Sequence, residues 1–346
     1  MLFTQEEIKQ QTRKLWGECF HDSEEFKDIY FEEKYKDEYN LTHRVDGNVA
    51  AAVQVLPYRM TFYGMVLHAG YISGLATGEA FRKRGLASHM IREAHRRLYQ
   101  QGAAVSFLIP GTDELRRFYE KPTHGLYWTS TFRKETEIKI SGEIDDKIEI
   151  VQPDEWGGDL YVFYRRNTMN QPFMLHSSEN DFYAALADCD LEGGMVLVAR
   201  RKRRLQGICL AIVEPDGRCV LRSLLAIDEK VKDAFLKYLM EKTGVNSVMA
   251  RVAVPGSISG AMPYAMARVI NVEKFLESVL AVYPTFQLHI GVDGDMDIPE
   301  NNGYYLIDDG KLTITDEKPD SIVTPGGLAA MFLGAHPTTL EMMLDE

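Results

Sequence analysis

The sequence predicts a mixed α/β (α+β) protein built from more than one domain. Three observations carry that reading. The chain has 346 residues, more than one hydrophobic core usually organises, and 45% of them are hydrophobic. Apolar runs with strand character alternate with segments of helical spacing over the first 145 residues. A similar order then recurs loosely over 148–248, which hints at an internal duplication.

Residues 4–20 have helical spacing, with Thr4 and Glu7 placed as a capping box and Ile8, Leu15 and Trp16 near one face. Ser23 to Tyr35 reads as an acidic second helix. Leu41 to Val66 reads as strands, with a hairpin turn at Asp46-Gly47 and only a polar break between Val53–Met60 and Thr61–Val66. Tyr71 to Thr77 is a further apolar run. Leu86, Met90, Ile91, Ala94 and Leu98 then fall at helical spacing, and Gly102 stops that helix. Ala103 to Ile109 reads as a buried strand, Thr112 or Asp113 caps a short helix through Lys121, and Thr129 to Ile138 is one more strand.

In the second stretch, Trp156–Arg166, Asn180–Cys189 and Lys230–Lys242 read as helices. Met195–Ala199, Gly207–Val213 and Arg218–Leu225 read as strands. From about 249 the character changes. Val272–Ala281 is helical, Phe286–Val292, Gly303–Ile307 and Leu312–Thr315 are strands, and the segments Gly327–Leu333 and Thr339–Glu346 read as short apolar helical pieces.

Composition narrows the function. A formal net charge of -12 disfavours nucleic acid and anionic lipid as partners and favours cationic substrates. Cys19, Cys189, Cys209 and Cys219 form no CxxC pair, so neither a metal site nor a disulfide framework is expected. The N-terminus lacks the basic and apolar regions of a signal peptide, and no run approaches the roughly 18 apolar residues of a membrane span. The expectation is a soluble cytoplasmic protein without bound metal.

One pattern carries chemistry. Arg82-Lys83-Arg84-Gly85-Leu86-Ala87 follows a strand and opens a helix. Helix N-termini present unpaired N–H groups and partial positive charge, where a pyrophosphate fits, and small residues at 85 and 87 let the backbone close around it. The same pattern also fits a solvated basic helix start.

The segment from Ile72-Ser73-Gly74-Leu75-Ala76-Thr77 to Tyr119-Glu120-Lys121 resembles the acetyl-CoA core of the GNAT acyltransferases. The shared features are a strand, an R/Q-x-x-G-x-G/A loop, a helix, a second strand and a short helix with a Phe-Tyr pair, here Phe118-Tyr119. The resemblance implies acetyl-CoA as co-substrate, with its pantetheine arm along Leu75, Ala76 and Thr77 and its phosphates at Arg82, Lys83, Arg84, Gly85, Leu86, Ala87 and Ser88. It implies Tyr119 as the acid that protonates the departing thiolate.

The whole chain resembles the Eis (enhanced intracellular survival) N-acetyltransferases. The likeness rests on Leu2-Phe3 to Trp16, Ile72–Leu75, Ala267-Arg268-Val269-Ile270-Asn271-Val272 and Asn302-Gly303-Tyr304-Tyr305-Leu306. It implies tandem GNAT folds with mixed sheets, a catalytic domain at 1–145 and a degenerate one at 146–248 that lacks the loop. A sterol-carrier-like (SCP2-like) α+β domain at 249–346 follows. It also implies a homo-oligomer, a hexamer or an assembly of trimers, and a role for the carboxylate of Glu346 as base or amine anchor.

The expected reaction is acetyl transfer to a primary amine of a small molecule or peptide. Asp22, Glu24, Glu25 and Phe26 border the region where the acceptor enters. His124 is a second candidate base or a surface loop residue. Alternatives are a non-catalytic CoA-sensing or lipid-carrying protein, and an acyltransferase for longer chains. Asp293-x-Asp295-x-Asp297 lacks the glycine and glutamate of a calcium loop and reads as a polar loop. The basic run Arg200–Arg204 reads as a solvated turn.

Overall fold

Thr4 and Glu7 form the expected capping box. The threonine hydroxyl accepts from the Glu7 N–H, and the glutamate accepts from the Thr4 N–H. The structure is a computed structural model that describes residues 4–143 and 145–344. The chain opens with α1 (Gln5–Phe20) and α2 (Glu24–Ile29), the latter running on through a π-helical turn to Lys34. Then come β1 (Asn40–Val45), β2 (Asn48–Phe62), β3 (Met65–Thr77), α3 (Leu86–Gln100), β4 (Val105–Leu108), α4 (Asp113–Tyr119), β5 (Trp128–Thr129) and β6 (Phe132–Ile138).

The middle of the chain supplies β7 (Ile148–Val151), α5 (Asp159–Thr168), β8 (Phe173–His176), α6 (Glu179–Leu191), β9 (Met195–Arg201), β10 (Arg204–Val213), β11 (Cys219–Ala226) and α7 (Glu229–Thr243). The remainder supplies β12 (Val248–Val254), β13 (Met262–Pro263), β14 (Met266–Val269), α8 (Val272–Val282), β15 (Leu288–Val292), β16 (Gly303–Asp308), β17 (Lys311–Thr315), β18 (Ile322–Val323), α9 (Pro325–Leu333) and β19 (Thr339–Leu340). The fold class is the expected mixed α/β.

The first sheet runs β19-β8-β2-β3-β4-β14-β5, with β1 paired to β2. The second runs β13-β6-β12-β11-β10-β9-β7, and the third runs β17-β16-β15-β18. The expected segments therefore exchange strands. β8, β14 and β19 enter the first sheet from beyond residue 145, and β6 leaves it for the second.

Burial follows the sequence patterns. Met90, Ile91, Ala94 and Leu98 of α3 pack on Val53, Val55 and Ile72 of the first sheet. Each of these side chains larger than alanine contributes about 1.5–3 kcal/mol when fully buried. Trp16, Tyr30 and Phe31 from the first two helices join Phe182, Leu186, Val196 and Leu210 in a core shared with the second sheet. That shared core fixes the walls of the site described below.

Several elements differ from their sequence expectation. The break expected between Val53–Met60 and Thr61–Val66 is a turn at Tyr63-Gly64, both at positive φ, and the strands on either side are longer. The strand expected over Thr129–Ile138 is split. Ser130 and Thr131 both donate their N–H to the Ala265 carbonyl, and β5 and β6 go to different sheets. The C-terminal piece from Thr339 is not helical: Thr339 and Leu340 pair with Met174 and Leu175 in parallel. Asp293 to Asp297 is the polar loop expected, but Asp295 and Asp297 within it are buried. The run Arg200–Arg204 is mostly strand, turning only at Lys202-Arg203.

Candidate active site

The site begins where two strands part. β3 pairs in parallel with β4 only from Ala69↔Val105 to Tyr71↔Phe107. Beyond that, β3 keeps its pairing with β2 as far as Ala51↔Thr77, so its other edge, Ile72 to Thr77, faces an opening. Gly74 sets the local geometry. Its φ is +61, next to a register shift in the β2–β3 ladder, and a Cβ there would run into the Trp16 ring.

Two cavities use that opening. One, of about 530 Å³, is lined by Leu75, Ala76, Thr77, Arg82, Lys83, Gly85, Leu86, Ala87 and Ser88, together with Cys19, Phe118, Tyr119 and His124. Gly85 caps α3 at φ +77 with no side-chain cap, and no acidic residue follows in the first turn. The N–H groups of the first turn therefore stay available to an anion. Arg82 is steadied by its Nε–H donating to the Thr77 carbonyl at 3.2 Å. The Thr77 hydroxyl is buried without a hydrogen-bond partner. Arg84 lies over the Phe81 ring at 5.5 Å and does not line the groove. His124 packs on Phe118 at 3.9 Å between centroids.

The second cavity, of about 1000 Å³, is a cleft with Asp22, Glu25, Phe26 and Tyr71 to Leu75 among its walls. Leu75 and Tyr119 line both cavities, as do Phe20 and Leu115. Asp22 accepts from the Trp16 indole N–H at 2.7 Å. Glu24 does not line the cleft. It pairs with Arg13 at 2.9 Å and Lys27 at 2.5 Å, and these two partners, Lys27 first, hold its carboxyl below the usual range.

Tyr119 ends α4, which Thr112 caps by accepting from the Leu115 N–H. The Tyr119 carbonyl accepts from the Tyr127 N–H at 3.0 Å. Burial pushes the Tyr119 phenol up to about 12, so it holds its proton across the physiological range.

Two acids that sequence reasoning missed come from the end of α6. Asp188 and Glu192 line the cleft, and Arg222 of β11 donates to both, to Asp188 at 3.2 Å and to Glu192 at 2.5 Å. Burial raises the Asp188 carboxyl to about 6, against the opposing pull of Arg222. The i,i+4 spacing of these acids is visible in the sequence, but only the packing of α6 turns it toward the cleft. Leu344 also lines the cleft. Glu346 lies outside the described residues.

These features coincide with a known domain. Residues 3–122 match the acetyltransferase (GNAT) domain family. The segment that builds the groove and carries Tyr119 thus falls within the match to the GNAT acetyltransferase domain family. Solved structures share the fold over nearly the whole chain. A probable N-acyltransferase from Enterococcus faecalis V583, a conserved protein of unknown function, matches with a TM-score of 0.72 at 17% identity, over 98% of this chain and 93% of that one. Eis1 from Mycobacterium abscessus matches with a TM-score of 0.72 at 13% identity, over 96% and 88%. A GCN5-related N-acetyltransferase from Anabaena variabilis ATCC 29413 matches with a TM-score of 0.70 at 17% identity, over 95% and 88%. No curated protein sequence matches. Among the described residues, no helix is long and apolar enough to cross a membrane.

Proposed function

We propose that the protein is an acetyl-CoA-dependent N-acetyltransferase of Eis-like organisation, transferring to a primary amine of a small molecule or peptide. The observation that carries this reading is the shared wall. The groove and the cleft share Phe20, Leu75, Leu115 and Tyr119, so two reactants bound separately would meet along that common wall, where Tyr119 carries the one ionisable group.

The groove fits acetyl-CoA. The uncapped first turn of α3 with Arg82 and Lys83 suits its phosphates, and the free edge of Leu75–Thr77 with the unpartnered Thr77 hydroxyl suits the amide-bearing arm. Acetyl-CoA supplies a thioester whose acyl group is transferred and whose thiolate leaves. Asp22, Glu25, Asp188 and Glu192 give the cleft the charge to hold a cationic amine.

Tyr119 stands at the junction with its proton in place. Its phenol, at about 12, is a weaker acid than a thiol of pKa about 8.5, and full transfer to a thiolate would be uphill by about 5 kcal/mol. Tyr119 therefore acts by donating a hydrogen bond to the developing negative charge. It completes transfer only as the amine loses its own proton.

The test is thiol release from acetyl-CoA with polyamines, aminoglycosides and lysine peptides as acceptors. Acceptor-dependent release supports the reading. Tight CoA binding with no release for any amine would replace it with a CoA-sensing or lipid-carrying role, in which the sterol-carrier-like C-terminal segment is the working part. Release only from longer acyl-CoAs would change the donor.

A further inference from the structure

A third cavity, of about 580 Å³, lies away from both the groove and the cleft, between β2, β3 and β8 of the first sheet and helix α5. Its volume is in the range of small-molecule sites. Three basic residues form a row across its floor. Arg59 on β2 is paired in register with His68 on β3 on one side and with His176 on β8 on the other. Arg165, from α5, lines the same cavity.

Arg59 and Arg165 bring like charges to this row and repel, while burial and then Arg165 hold His176 below its usual range, so that it adds a hydrogen-bonding nitrogen rather than a third cation. A chain of net charge -12 has acids enough to neutralise such a row. Yet none of the ion pairs among the described residues involves Arg59 or Arg165. Asp181, which lies close behind, is otherwise engaged: it accepts from Tyr58 at 2.8 Å and from Ser178 at 2.6 Å, and it lies 3.9 Å from the Lys34 ammonium.

A second observation points the same way. Tyr164 lines the cavity at 2% exposure, and its buried hydroxyl makes no well-formed hydrogen bond, having the Ser177 hydroxyl beside it. A buried hydroxyl without a good hydrogen bond is destabilising until something supplies one. The remaining walls include Pro57, Val66, Tyr161 and Met169, which are apolar or aromatic surfaces. Val66 and Met169 are 56% and 50% exposed, which puts accessible apolar surface beside the two arginines.

We propose that this cavity binds a small organic anion. Its carboxylate or phosphate head sits against Arg59, Arg165 and the two histidines and accepts from Tyr164, and its flat apolar body lies on Val66, Met169 and Tyr161. Such a ligand bridges the first sheet and α5, two parts of the fold that meet here.

The test is calorimetric titration of the full chain with benzoate and phenyl phosphate, against inorganic phosphate and benzyl alcohol as head-only and body-only controls. Saturable binding of an aromatic anion is expected, at least about tenfold weaker in an Arg59→Gln/Arg165→Gln variant. The better of the two anions identifies the head group. Tyr164→Phe separates ligand binding from mere strain, because it removes the poorly bonded hydroxyl without emptying the core. The expected outcome is a higher melting temperature and several-fold weaker anion binding. No binding by either anion overturns the site. So does affinity unchanged in both variants, or binding abolished by added CoA but retained in the double arginine variant, which would place the anion in the groove.

Discussion

Arg268 on β14 forms an ion pair with Asp295 in which the two side chains are 1% and 0% exposed. The guanidinium also donates to the Gly125 carbonyl at 2.9 Å and approaches Asp297 at 3.9 Å. Asp297 in turn holds His95, whose other nitrogen meets the Tyr127 hydroxyl at 3.0 Å. Removing one partner of such a pair strands the other charge. Arg268→Met should cost about 3–5 kcal/mol of stability, read as a lower urea midpoint, and Arg268→Met/Asp295→Asn should recover part of it.

The same network sets an acid limit. Burial first, then Arg268, pushes His95 down to about 4. Below pH 6.5 the unfolded chain takes up a proton that the folded one refuses until about pH 4. Stability should therefore fall as pH drops across that window, and His95→Asn should flatten the fall. An equally steep decline in the variant would assign it to other groups.

Tyr119→Phe keeps the ring and deletes the donor. Turnover is expected to drop by about 100-fold with acetyl-CoA affinity unchanged, as for a lost acid at the leaving group. Stopped-flow thiol release and equilibrium CoA binding separate the two quantities. Normal turnover in the variant removes Tyr119 from the chemistry.

Asp188 predicts a pH-dependent acceptor KM. Its carboxyl is raised to about 6 by burial, so it is charged above that pH and neutral below it. A cationic acceptor should bind progressively more weakly as pH falls through 6. Asp188→Asn should show a KM raised by about tenfold at pH 8 and lose the acid limb. A variant that keeps the limb places the titration on another cleft acid.

Gly74→Ala tests the geometry where the strands part. The left-handed backbone and the collision with Trp16 together predict a loss of about 2–4 kcal/mol. Displacing Trp16 also releases Asp22, so acceptor KM should rise alongside the lower melting temperature. A shift in melting temperature alone would mean that Asp22 does not need the indole.

What was legible in the sequence follows from which interactions are local. The α3 start announces itself, because a glycine cap and a basic loop act within a few residues. Thr112 and the capping box at Thr4 were legible for the same reason. β14 was not, since Met266-Ala267-Arg268-Val269 becomes a strand only through β4 and β5 on either side. Helix phase separates two of the acids: on α2, Glu25 meets the cleft while Glu24 is carried round to Arg13 and Lys27, whereas Asp22 in the preceding loop is held by Trp16. The burial of Asp295 and Asp297 within their polar loop was not legible, because their partner, Arg268, is distant in sequence.

The order of strands in the first sheet also sets a timetable for synthesis. When the ribosome has released the groove, α4 and Tyr119, the outer edge of β4 still lacks its neighbour β14, and β8 has yet to arrive at β2. The last strip of that sheet, Thr339–Leu340, emerges only after all its other strands. The nascent groove segment thus waits with unpaired, apolar sheet edges until those strands arrive, a state prone to pairing with neighbouring chains. Chaperone dependence during expression, rather than poor stability once complete, is the expected price of that topology.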